Sequence, residues 1–198
     1  MGKRDYQKNL IIVAMVKNNV KKILSEIDTV LSQIDEREVD SLVERILGAS
    51  KIVTVGAGRV GMATRGFAMR LGHLGLNAYM IGDATVPGIG EGDVLLVCSG
   101  SGETQTIFDL VEIAKKNKAT IVLVTGNPES RIGKIADTVV KITAPSKTKA
   151  VEGLVSVQPM TTLNEQCLGI FFDAVVLNLM TAMRETHETM WARHSNLE

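Results

Sequence analysis

Two rhythms of apolar residues divide the chain. Before residue 51, Val13, Val16, Val20, Ile23, Ile27, Val30 and Ile34 recur at alternating spacings of three and four. That pattern predicts a helix whose seam keeps its register over several turns and suits helix-on-helix packing. Val39, Leu42, Val43, Ile46 and Leu47 predict a second helix ending near Gly48. From Lys51 the pattern changes to short, continuous apolar runs at Ile52–Val55, Ala78–Ile81, Val94–Val97, Thr120–Val124 and Val139–Ile142. Runs without polar alternation predict strands buried on both faces, which is the habit of parallel sheets.

Helical segments are expected between the runs, through Leu71, from Thr104 to Lys116, and briefly around Ser130–Ala136. Strands alternating with helices through right-handed crossovers give a doubly wound α/β/α three-layer sandwich around a five-stranded parallel sheet, of flavodoxin type. The predicted organisation is one domain over residues 1–198, with a helical arm at 1–49, a sheet core at 50–143 and a C-terminal helix at 160–191. A polar linker from residue 144 to 159 carries Pro145 and Pro159. The last helix, from Thr162 to at least Arg184, is apolar on nearly every side. Asp173 and Asn178 interrupt it, so it reads as a buried helix rather than a membrane span. Together with the N-terminal seam, so much apolar surface predicts a homo-oligomer.

Composition narrows the function. Lys+Arg and Asp+Glu balance at 22 each, without like-charge blocks, which argues against nucleic acid or a membrane surface as partner. The hydrophobic fraction of 45% supplies a continuous core. Cys98 and Cys167 lack metal-ligand spacing and read as buried thiols in a reducing cytoplasm; the N-terminus lacks a secretory apolar region.

Two glycine-rich loops lie at strand ends, where open α/β sheets bind ligands. Gly56-Ala57-Gly58-Arg59-Val60-Gly61 matches G-x-G-x-x-G, and Asp83 falls 22 residues beyond it, where a dinucleotide site would place its ribose-binding acid. A tight strand-to-helix turn selects the same glycines for backbone reasons alone. The second loop, Ser99-Gly100-Ser101-Gly102-Glu103-Thr104, joins glycines that let the backbone curl round an anion to three hydroxyl side chains and a helix N-terminus. That inventory fits a phosphate. Glu103 is expected to point away from the anion.

The run Gly100–Thr104 with its preceding serine is similar to the signature of sugar isomerase (SIS) domains. The resemblance extends to one branch, the 6-phospho-3-hexuloisomerases, through Gly56–Arg59, Phe67–Leu71, His73–Gly75, Gln158–Met160, Glu165–Gln166 and Arg193–Glu198. It implies isomerisation of a 3-keto hexulose 6-phosphate to fructose 6-phosphate in a homotetramer, without metal or redox cofactor. On matching positions it implies phosphate binding by Ser99, Gly100, Ser101, Gly102 and Thr104. It also implies substrate contacts by Gly58, Arg59, Thr85 and Gln158, with Glu165 as catalytic base. His73 and His194 are further candidates for moving protons, His194 by reaching a neighbouring subunit's cleft. The chain departs from the branch at Val60, Val86 and the stretch Thr161–Asn164.

The residues themselves leave other roles open. Thr162-Leu163-Asn164-Glu165 has the form of a capping box, in which Glu165 only satisfies a helix end. Arg59 could be a solvated surface side chain, and His73 a cap or core residue. Two further readings stand beside the isomerase: a catalytically silent SIS module that binds a sugar phosphate, and an NAD-binding protein resting on the first loop and Asp83.

Overall fold

The apolar runs pair as one parallel sheet in a computed structural model that describes residues 3–146 and 151–197, with side chains from Met15 onward. Its strands are β1 (Ile52–Gly56), β2 (Ala78–Met80), β3 (Val94–Cys98), β4 (Thr120–Thr125) and β5 (Thr138–Lys141), in the order β2-β1-β3-β4-β5. Ile52 stands opposite both Ala78 and Val94, and Val94 in turn opposite Thr120.

Because side chains alternate across a strand, each run divides between two cores. Ile52, Val94, Leu96, Val122, Val124 and Val140 face the helices α1 (Lys3–Leu31), α2 (Glu36–Gly48), α3 (Gly58–His73) and α5 (Thr162–Met183). Val53, Val55, Leu95, Val97, Ile121 and Leu123 face α4 (Gln105–Lys116) through Ile107, Val111 and Ala114. Burying each such side chain contributes about 1.5–3 kcal/mol, which is why strands without a polar face are stable only here. A short α6 (His187–Trp191) is the last helix among the described residues.

One expected helix is absent. Residues 130–136 form successive turns. The Arg131 amide donates instead to Glu103 Oε1 at 3.0 Å, and the Ile132 amide to the Gly102 carbonyl at 3.4 Å. These contacts tie the turns to the loop after β3.

Among the described residues, α5 is the one helix long and apolar enough to cross a membrane by length and composition. In the fold its Leu163, Cys167, Leu168, Phe171, Phe172, Val175 and Leu179 are buried, with Phe172 stacked on Phe67 of α3 at 4.1 Å between ring centres. It is not enclosed on every side, because Ile170 and Leu177 stay 43% and 64% exposed.

The chain leaves β1 for α3 on one face of the sheet and leaves β3 for α4 on the other. Adjacent strands whose connections diverge open a crevice at their carboxyl ends. The N-terminus of α5 closes it from above.

Candidate active site

The crevice is a cavity of about 340 Å³, within the range of small-molecule sites, lined by the first turns of α3 and α5 and by the loop after β3. In that loop the carbonyls are turned outward and held there. Gly100 O accepts from the Gly126 amide at 3.1 Å, Ser101 O from Asn127 Nδ2 at 3.4 Å, and Glu103 O from Arg131 Nη2 at 2.7 Å. The amides of Gly100, Ser101 and Thr104 have no partner among the described residues, so they are available to an anion in the cavity. Ser99 Oγ accepts from the Gly102 amide at 3.1 Å and Ser101 Oγ from the Glu103 amide at 3.2 Å. Each hydroxyl proton therefore remains free to be donated.

Three helices begin at the cavity, after Ala57, Thr104 and Thr161, and none has a side-chain cap. Of the helices beginning elsewhere in the fold, α2 and α6 are capped by Asp35 and Thr186. Three uncapped N-termini, each equivalent to about half a positive charge, turn their amides and dipoles toward one small volume. Glu103 adds no repulsion there, because its carboxylate pairs with Arg131 at 3.4 Å.

The opposite wall carries the carboxylate. Glu165 is 13% exposed and accepts from Thr161 Oγ1 at 2.8 Å, while its Oε2 lies 3.1 Å from Arg59 Nη1. Arg59, at the start of α3, also donates to Thr162 Oγ1 at 3.3 Å. The capping box does not form. The helix is entered one residue earlier than that motif requires, with Thr161 as N-cap, and Thr162 Oγ1 donates to the Pro159 carbonyl at 2.7 Å. Glu165 therefore accepts from no helix-end amide, and its carboxylate, held by Thr161 Oγ1 and Arg59, lines the cavity.

Gly58, Arg59, Ser99, Gly100, Ser101, Thr104 and Glu165 line the cavity together. Gly102 lies behind the loop at φ +65°, against Ser130. Thr85 is exposed on the β2–β3 connection and is not in the cavity wall. Gln158 is turned toward α1, where its Nε2 donates to Glu26 Oε2 at 3.0 Å. His73 ends α3, about 21 Å along the helix from Arg59, and its ring lies 5.2 Å from that of His194. Neither histidine lines this chain's cavity. The first-loop glycines have a packing explanation, since a Cβ on Gly61 would lie 2.5 Å from the Gly56 carbonyl oxygen. Asp83 pairs with Arg65 at 2.9 Å, away from the cavity.

Asn127, Arg131 and Ser130, which brace the loop, carry no motif that betrays them in the sequence. Asn164 and Ser146 also line the cavity, and Ser146 Oγ is buried without a hydrogen-bond partner among the described residues. Cys98 forms part of the wall, but burial pushes its thiol up to about 12, so it stays protonated and unreactive.

Residues 45–168 match the SIS domain family. The chain is 40% identical over 179 residues to the 3-hexulose-6-phosphate isomerase of Bacillus subtilis, covering 90% of this chain and 97% of that protein. It is 38% identical to the enzyme of the same name from Mycobacterium gastri, covering 92% of each. A Methanococcus jannaschii protein, whose crystal structure infers a molecular function of 3-hexulose-6-phosphate isomerase, superimposes with a TM-score of 0.78 at 29% identity, over 91% of this chain and 99% of that one.

Proposed function

The chain belongs to the SIS domain family, in its 6-phospho-3-hexuloisomerase branch, and from that membership we propose that it converts a 3-keto hexulose 6-phosphate to fructose 6-phosphate. It is a phosphosugar isomerase. The observation that carries the substrate reading is one cavity with an anion loop on one wall and an arginine-paired carboxylate on the other.

The phosphate sits on Ser99, Gly100, Ser101 and Thr104, and the carbon chain extends toward Glu165. Glu165 takes the proton from C2. The C2–H electron pair becomes the C2=C3 bond, and the C3 carbonyl electrons move to oxygen, giving an enediolate. The hydroxyl proton on the C2 oxygen passes to the C3 oxygen, and return of the proton from Glu165 to C3 leaves the C2 ketone and a C3 hydroxyl. One carboxylate performs both transfers if it reaches both carbons. Arg59 orients it and supplies positive charge beside the developing oxyanion, in the field of three helix N-termini. No electrons leave the sugar, so the reaction calls for no redox cofactor. The dinucleotide reading of the first loop loses its support where its glycines serve packing and Asp83 pairs with Arg65.

We read residues 1–198 as one SIS-type unit of a cytoplasmic homotetramer. Support for an oligomer comes from the bare apolar strip of α1, α3 and α5. His73 and His194, remote from this chain's cavity, contribute to catalysis only if that end of the molecule enters a neighbouring copy's cleft.

An isomerase assay on wild type and Glu165→Gln tests the mechanism. The expected result is fructose 6-phosphate from the wild type and a loss of about 10²–10⁴-fold in kcat for the variant, with fructose 6-phosphate still raising the variant's melting temperature. Equal turnover by both would remove Glu165 from the chemistry.

A further inference from the structure

The mechanism leaves one polar group in the cavity idle. Asn164 is 5% exposed, lines the cavity next to Glu165, and its carboxamide makes no hydrogen bond to any described residue. It contributes nothing to the helix end, which is organised by Thr161, Thr162 and Glu165. Its Oδ1 and Nδ2 are not among the fully buried polar atoms left without a partner, so they open onto the cavity and not into the core. A carboxamide so placed has two donors and an acceptor to offer a molecule in the cavity.

Its position identifies what that is. The carboxamide rests on the anion loop: a Cβ on Gly100 would lie 2.8 Å from Asn164 Oδ1 and 3.2 Å from its Cγ. Glu165 is the next residue of the same helical turn. Asn164 therefore lies between the place where a phosphate is held and the carboxylate. A ligand spanning the two must pass its intervening carbons over this carboxamide.

We propose that Asn164 reads the sugar: its carboxamide donates to and accepts from the oxygens on the carbons that join the anchored phosphate to the reacting pair. A hydroxyketone chain offers both a hydroxyl donor and oxygen acceptors, the complement of a carboxamide. The residue thereby separates a phosphorylated polyhydroxy ligand from phosphate alone. This inference rests on the proposed placement of the phosphate at Ser99–Thr104 and of the sugar toward Glu165.

The test is calorimetric titration of wild type and Asn164→Leu with fructose 6-phosphate and with inorganic phosphate. Leucine keeps the volume and removes every hydrogen bond. The expected result is about a tenfold weaker affinity for fructose 6-phosphate and less than a twofold change for inorganic phosphate, with the melting temperature unchanged or higher. Equal losses for both ligands would mean that Asn164 merely packs the loop, and no loss for either that it is a bystander; both overturn the proposal. Asn164→Ala gives the same ratio should the leucine variant fail to fold. Turnover of the 3-keto hexulose phosphate by wild type is measured separately. An inactive wild type whose fructose 6-phosphate affinity still depends on Asn164 overturns the substrate reading and upholds this one. A wild type that binds fructose 6-phosphate no better than phosphate overturns this one.

Discussion

At the scale of single residues, the anion loop depends on a glycine whose own amide is taken by Ser99. Gly102 has φ +65°, and a Cβ there would lie 1.9 Å from Ser130 Oγ. Gly102→Ala carries the cost of a left-handed alanine, about 1–2 kcal/mol, and of overpacking, about 1–3 kcal/mol. It should lower the thermal midpoint by several degrees and weaken inorganic phosphate binding in parallel. Adding Ser130→Gly should recover part of both losses, measured by thermal denaturation and phosphate titration; no recovery would assign the damage to the backbone alone. The loop itself was legible because its glycines and hydroxyls are adjacent in sequence. Its braces were not. Asn127 and Arg131 meet it across 26 and 28 residues, and only the parallel pairing of β3 with β4 brings those connections together. Residue type does not give direction: Gln158, expected as a substrate contact, turns its Nε2 to Glu26 and leaves its Oε1 buried without a partner among the described residues.

At the scale of elements, the carboxylate and carboxamide of the cavity depend on how α5 is delivered to it. Glu26 of α1 accepts from Ser156 Oγ at 2.7 Å, from the Val157 amide at 2.7 Å and from Gln158 Nε2 at 3.0 Å. That carboxylate ties the segment before α5 to the helical arm. Desolvation alone would raise its pKa, but the Val157 amide, Gln158 and Ser156 outweigh it and hold the group below its ordinary value. A depressed folded pKa means that the tie is fully present above the ordinary carboxylate range and is lost as pH falls through the lowered value. Glu26→Ala should speed hydrogen exchange at Val157 and raise KM more than it lowers kcat, and wild type should approach the variant's exchange rate only under acid conditions. Unchanged exchange in the variant would separate the arm from the site. Element types were readable from apolar period alone, strand runs and helix seams alike. The turns around residues 131–135 were not, because their contacts are with a loop distant in sequence.

At the scale of the whole molecule, the N-terminal seam continues beyond what this chain covers. Ile27 and Val30 are buried against the core, whereas Val16, Val20 and Leu24 on the same helix are 56%, 47% and 57% exposed. Alongside them, Met69 of α3 and Ile170 of α5 flank a groove of about 550 Å³. A helical stripe with an unbroken period of three and four does not change its solvent preference halfway along, so the bare half requires cover. A second copy presents the same stripe, and a two-fold contact pairs such patches with themselves. Ile170→Glu together with Leu24→Glu should shift sedimentation from an oligomer toward a single chain, because each contact would then bury uncompensated like charges. If catalysis draws His194 from a neighbour, the same variant should lose turnover while inorganic phosphate still binds, since the Ser99–Thr104 loop is built within one chain. A monomeric variant with full turnover would confine the chemistry to Glu165, Arg59 and the loop of a single subunit. An unchanged sedimentation profile would mean that the groove is covered by something other than this chain.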